Sequence, residues 1–137
     1  MAARSKARKR ALDVLFEAEL RGEPVLEVLA QREAQGGTEA PPIPEYAAEL
    51  VRGVQEHRAQ IDELLAANSA SWTLDRMPLV DRNILRIGAY ELLYADDVPD
   101  GVAISEAVQL AGQLSTAESS AFVNGLLARL LELRRSQ

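Results

Sequence analysis

A chain of 137 residues that is 47% hydrophobic and 26% charged can fold around one substantial core, and it is too short for two ordinary domains. It has no cysteine, and His57 is its sole histidine, so disulfides, thiolate-bound metals, iron–sulfur clusters and multi-histidine metal sites are excluded; no metal or cofactor is expected. The formal charge of −6 is unevenly spread: five bases fall in the first ten residues without an acid, leaving the rest at −11.

The first predicted helix runs from about Ser5 to Leu20 and stops before Gly22, with Ala11, Val14, Leu15 and Ala18 on one stripe. Arg4, Lys6, Arg8, Lys9 and Arg10 form a basic arm over residues 1–10 that leads into this helix. Cations at a helix N-terminus oppose the helix dipole by about 0.3–1 kcal/mol each. That placement favours an anionic partner, the other reading being a solvated, frayed terminus. Asp13, Glu17 and Glu19 interrupt any signal-peptide core, and no apolar run reaches the roughly 18 residues of a membrane span. A soluble cytoplasmic protein is expected.

Pro24 opens a second helix carrying Val25, Leu26, Val28 and Leu29. Residues 35–44, with two glycines and three prolines, read as a loop. A helical segment then starts near Pro44. Its apolar positions Ala47, Leu50, Val51, Val54, Ile61, Leu64 and Leu65 persist to about Ala67, with a break plausible between Gly53 and His57. Asn68 to Met77 is a connector holding the single tryptophan, Trp72.

Pro78 opens the helix Leu79–Tyr94, which is apolar on every side and therefore central; its Arg86 and Glu91 read as buried or interhelix ion-pair members. After a turn at Asp97–Gly101 comes a helix from about Val102 to Leu114, with Ile104, Ala107, Val108 and Ala111 facing inward. Ser115 and Glu118 have the spacing of a capping box. They start a last helix with Phe122, Val123, Leu126, Leu130 and Leu133 on its apolar stripe. No segment alternates with period two. The expected fold is all-α: a single compact domain of six or seven helices, two packed bundles around a buried central helix.

Enzymatic signatures are absent: there is no phosphate-binding glycine loop, no nucleophile elbow and no second histidine. His57 reads as a surface or interhelix imidazole, and the adjacent carboxylates Asp62/Glu63 and Asp96/Asp97 as solvent-facing. Phe16 lies off the first helix's main stripe, grouped with Leu12, Leu20 and Lys9. Leu12 and Leu20 read as packing residues. For Phe16, beside the basic tip, base stacking competes with packing, since such a stack contributes about 1–3 kcal/mol. A basic tip on an acidic body grips a strand weakly alone, so the sequence asks for a partner.

The runs ARKRALDVLFEAEL (7–20), WTLDRMPLVDRNILRIGAYELL (72–93), VPDGVAISEAVQLA (98–111) and ESSAFVNGLL (118–127) resemble the NusB family of bacterial transcription antitermination factors. The resemblance implies a helical RNA-binding domain that pairs with ribosomal protein NusE. With it, such a domain binds the single-stranded boxA element of ribosomal RNA transcripts within an RNA polymerase antitermination complex. Carried over by position, it assigns RNA contact to Arg4, Lys6, Arg8, Lys9, Arg10, Phe16, Glu118 and Phe122, and the NusE-facing side to Asp81. Glu118 also fits a capping role and Phe122 core packing. Against the family pattern, Lys9 stands where many relatives carry an acid, and Phe16 stands for a commoner tyrosine, which leaves stacking as its role. Ser105 and Gly112 stand for the usual Asn and Lys.

Two other functions fit the residues. One is a self-associating helical interaction protein, such as a homodimer, with no RNA role of its own. The other is a docking module like the NusB-like domain of RNA-cytosine methyltransferases; that reading requires an attached catalytic domain, whereas this chain ends soon after Arg135.

Overall fold

The computed structural model describes residues 2–69 and 72–137, so Met1 of the basic arm and two residues of the Trp72 connector lie outside the described residues. Among the described residues there are seven α-helices, one short 3-10 turn and no strand. They divide into two helical units, Met1–Glu56 and His57–Gln137.

The first unit holds α1 (Ala2–Arg21), α2 (Val25–Gln35) and α3 (Glu45–Glu56), each packed on the other two. Helix α1 starts three residues before the expected Ser5, so the arm is itself helical. It ends where expected. Gly22 takes a φ of +67°, and the Glu23 amide reaches back to the Ala18 carbonyl at 2.9 Å, closing the last turn. Ala7, Ala11, Leu12, Val14, Leu15 and Ala18 are buried, but Leu20 is 62% exposed and Leu26 is exposed as well. Leu20 had been expected to pack, and it points outward from its helix, as does Leu26. Residues 36–44 are irregular as expected, and the Gly37 amide donates to the Ala40 carbonyl at 2.8 Å to turn the chain before the prolines.

The second unit holds α4 (Arg58–Asn68), a 3-10 turn at Leu74–Arg76, α5 (Leu79–Tyr94), α6 (Asp100–Leu114) and α7 (Ala117–Arg135). The break expected between Gly53 and His57 falls at His57, which precedes α4. Helix α5 packs on α4, α6 and α7, and ten of its residues are buried, as an all-round apolar sequence requires. Gly88 permits the closest approach: a Cβ there would lie 2.7 Å from Leu127 Cδ1 and 3.2 Å from Ala107 Cβ.

Two stripes differ from expectation. On α6 the buried face is Ala103, Ala107, Leu110 and Ala111, while Ile104 and Val108 are half-buried walls of an open groove of about 640 Å³ shared with Asn124. On α7, Leu127 is buried and Leu133 is exposed. Leu64 of α4 is exposed too, near Leu133 in a small apolar cleft. No helix among the described residues is long and apolar enough to cross a membrane.

Candidate nucleic-acid interface

In the first unit the candidate residues lie along α1, so the helical period sets their directions. Lys6 and Lys9 are exposed, Arg4 and Arg10 are half-buried, and Arg8 is only 2% exposed. Arg8 is therefore not an open RNA-facing cation as expected. It precedes Ala11, Leu12 and Leu15 by three, four and seven residues, so it continues the buried stripe backward by one turn.

Aromatic and carbonyl groups receive the inward cations. The Arg4 guanidinium lies 4.1 Å from the centre of the Tyr46 ring, and that of Arg8 lies 5.7 Å from it. Arg10 donates to the carbonyls of Pro41 at 3.2 Å and Pro42 at 3.4 Å. A cation over an aromatic face gains about 0.5–1 kcal/mol at such a site, comparable with the dipole cost of one N-terminal cation. The tip is thus anchored to α3 and to the proline loop. The face left open carries Lys6, Lys9, Asp13 and a half-buried Phe16, the last two turns beyond Lys9.

In the second unit the candidates are at the start of α7. The N-cap is Thr116, one residue later than expected, and its Oγ1 accepts from the Ser119 amide at 3.1 Å. The shift removes Glu118 from the capping role: it is exposed in the first turn, where the helix dipole favours its carboxylate. Phe122 is half-buried and meets the edge of Trp72, ring centres 5.1 Å apart at 88°. It lines a pocket of about 240 Å³ with Asn68, Gly125 and Arg129, and Arg129 Nε donates to Asn68 Oδ1 at 3.4 Å. An aromatic wall beside an amide and a guanidinium suits a planar heterocycle.

Asp81, expected on a partner-facing side, is fully enclosed at 0% exposure. Its Oδ2 accepts from the Ser119 hydroxyl at 2.7 Å, and the neighbouring hydroxyls of Ser115 and Thr116 each lie 3.0 Å from Ser119 Oγ. Ser119 at the start of α7 meets this face of the first turn of α5, so this carboxylate faces inward while Leu79, Val80 and Arg82 stay half-buried.

Arg86 is buried as expected. It makes a two-pronged pair with Asp62, 2.8 and 3.1 Å, and donates to Asn83 at 3.0 Å. Asp62 is thus an ion-pair member, not the solvent-facing carboxylate expected. His57 stacks on Tyr94, ring centres 3.8 Å apart at 10°, with Tyr90 at 6.2 Å. Near the 3-10 turn, the Thr73 side chain donates to Asp75 and, with the nearby Arg76 and Arg82 charges, holds its carboxyl below the ordinary aspartate value. Among the described residues no three His, Cys, Asp or Glu side chains are grouped to hold a metal ion.

Sequence reasoning missed Tyr46, Asp62 and Ser119. Charge counting could have flagged Tyr46 only by asking what neutralises α1's tip, because 42 positions of chain separate it from Arg4.

The NusB family model matches residues 5–132. The chain belongs to the NusB family. Transcription antitermination protein NusB of Thermobifida fusca (strain YX) is 63% identical over 133 residues, covering 97% of this chain and 92% of that protein. Among solved structures, T. maritima NusB superposes with a TM-score of 0.80 at 34% identity, over 94% of this chain and 90% of that one. The crystal structure of antitermination factors NusB and NusE in complex with dsRNA contains a chain with a TM-score of 0.79 and 29% identity, covering 97% of this chain and 98% of that one. Membership of the NusB family makes the chain a transcription antitermination protein and not an enzyme. The all-α fold expected from the helical periods is the fold of these relatives.

Proposed function

We propose that this chain binds the single-stranded boxA element of ribosomal RNA transcripts jointly with ribosomal protein NusE, as part of an RNA polymerase antitermination complex. One observation carries the proposal: Lys6 and Lys9 stand open on one face of α1 with Phe16, in a chain whose remaining residues after the first ten carry −11. The two lysines supply phosphate contacts, and Phe16 supplies a stacking face. Arg4 and Arg10 act at the edge of this face, and Arg8 supports it from beneath. Glu118 and Phe122 form the second contact, with Phe122 offering a ring and Glu118 an acceptor for base amino groups. Asp81 makes no contact with NusE in this reading. A relative crystallised with NusE and RNA supports the pairing of the two proteins on RNA.

Only Lys6 and Lys9 stand fully open, with Arg4 and Arg10 half-buried at the edge, so the strand is held weakly without a second protein. Fluorescence anisotropy with single-stranded boxA RNA tests this. Binding is expected to tighten at least tenfold when NusE is added, and Lys6→Glu with Lys9→Glu is expected to abolish that gain while leaving the helix content unchanged. Equal affinity for boxA and a scrambled RNA, or a tight self-dimer that excludes NusE and RNA, would overturn the proposal.

A further inference from the structure

Asp81 is a buried carboxylate that the proposed RNA contacts do not use, and its surroundings are unusual. Its Oδ2 takes the Ser119 hydroxyl at 2.7 Å, and Oδ1 is buried without a hydrogen-bond partner among the described residues. Ser119, 2% exposed, is the hub of the α7 start. Its amide caps the helix on Thr116 Oγ1, and its hydroxyl lies 3.0 Å from the hydroxyls of both Ser115 and Thr116. Because Ser119 has one hydroxyl proton and gives it to Asp81, its Oγ can only accept from those neighbours. The network therefore has a direction: the cap-side hydroxyls point at Ser119, and Ser119 points at Asp81.

Glu118 is adjacent to Ser119, and Phe122 follows three residues later on the same helical face. Phe122 in turn meets Trp72, the chain's single tryptophan. A carboxylate with one oxygen left unpaired is costly to bury, so its presence at the α7 start calls for a physical reason.

We propose that Asp81 is a positioning residue, which through Ser119 sets the depth and rotation of the first two turns of α7 and so the presentation of Glu118 and Phe122 to RNA. The inference rests on the RNA reading above for its functional consequence, whereas its structural half stands on the hydrogen bonds alone. Asp81 acts from inside the unit and touches neither the transcript nor a partner protein.

Trp72 provides the readout. In Ser119→Ala, which removes one hydroxyl and little volume, the Trp72 emission is expected to shift because Phe122 turns against it. BoxA RNA affinity in the presence of NusE is expected to fall about fivefold, the size of one lost hydrogen bond. Asp81→Ala is expected to do the same, whereas Asp81→Asn, which keeps an acceptor for Ser119, is expected to restore affinity to within about twofold. The double variant Asp81→Ala, Ser119→Ala should bind no more weakly than Asp81→Ala alone. If Asp81→Ala fails to fold, Ser119→Ala and Asp81→Asn carry the test. Wild-type RNA affinity in Ser119→Ala overturns the proposal, and so do additive losses in the double variant. If Lys6→Glu with Lys9→Glu also leaves affinity unchanged, the RNA reading has failed; if that variant loses binding and Ser119→Ala does not, only the positioning role has.

Discussion

In the first unit the cations of α1 are steadied from outside, by the Tyr46 ring and by the Pro41 and Pro42 carbonyls. In the second, the start of α7 is fixed from within, by Asp81 through Ser119. The two arrangements fail differently. A lysine face open to solvent works by charge, so it weakens with salt and tolerates substitution without loss of fold. A turn held by an enclosed carboxylate works by geometry, so it resists salt and is sensitive to a single hydroxyl. In the proposed reading, one acidic chain carries a soft electrostatic grip and a fixed aromatic contact in separate helical units.

The comparison can be broken hardest at the core of the second unit. Gly88→Ala is expected to lower stability by about 1–3 kcal/mol, read from urea unfolding, because the added methyl meets buried Leu127 and Ala107. Removing Asp62 sharpens the same side. Asp62→Ala leaves the enclosed Arg86 guanidinium without its two-pronged partner and is expected to cost about 1–2 kcal/mol, a figure discounted for the partial exposure of Asp62. In the first unit, Tyr46→Leu should weaken boxA RNA binding about threefold, the size of an exposed cation–π contact. It should also erase the ring-current shifts of the Arg4 side-chain protons, and Tyr46→Phe should restore both. The smallest effect is at the connector. Thr73→Ala is expected to raise the Asp75 titration midpoint toward the ordinary aspartate value, followed by NMR. Because the folded value is depressed, the associated stabilisation is present above the ordinary range and is lost as pH falls through the folded midpoint.

Helix existence was legible because its signals are local. Gly22, Pro24, Pro78 and Pro99 mark boundaries within a residue or two, and the all-round apolar run of α5 marks its central place in the second unit. Helix faces were less legible. Leu20 satisfies the periodic pattern yet is exposed, and Leu64 and Leu133 line an open cleft instead of a closed core, which periodicity cannot reveal. At the candidate site, Lys6, Lys9 and Phe16 stand about where the pattern put them. Arg8 and Asp81 do not, and for different reasons. The inward direction of Arg8 was written in the Ala11–Leu12–Leu15 stripe but was masked by counting charges as a group. The burial of Asp81 depends on Ser119, 38 positions away, and Arg86 depends on Asp62, 24 positions away; pairings at that separation leave no periodic trace.

The salt dependence of boxA RNA binding in the presence of NusE, measured on three proteins in parallel, tests the central claim most directly. With two or three phosphates neutralised by α1, this helix should contribute about −1.4 to −2.1 to the log–log slope of the wild-type protein. Lys6→Glu with Lys9→Glu should make that slope shallower by about 1.4, whereas Ser119→Ala should bind more weakly on an unchanged slope. A wild-type slope near zero, or a slope the lysine substitutions leave intact, would contradict a transcript gripped by the open cationic face of α1.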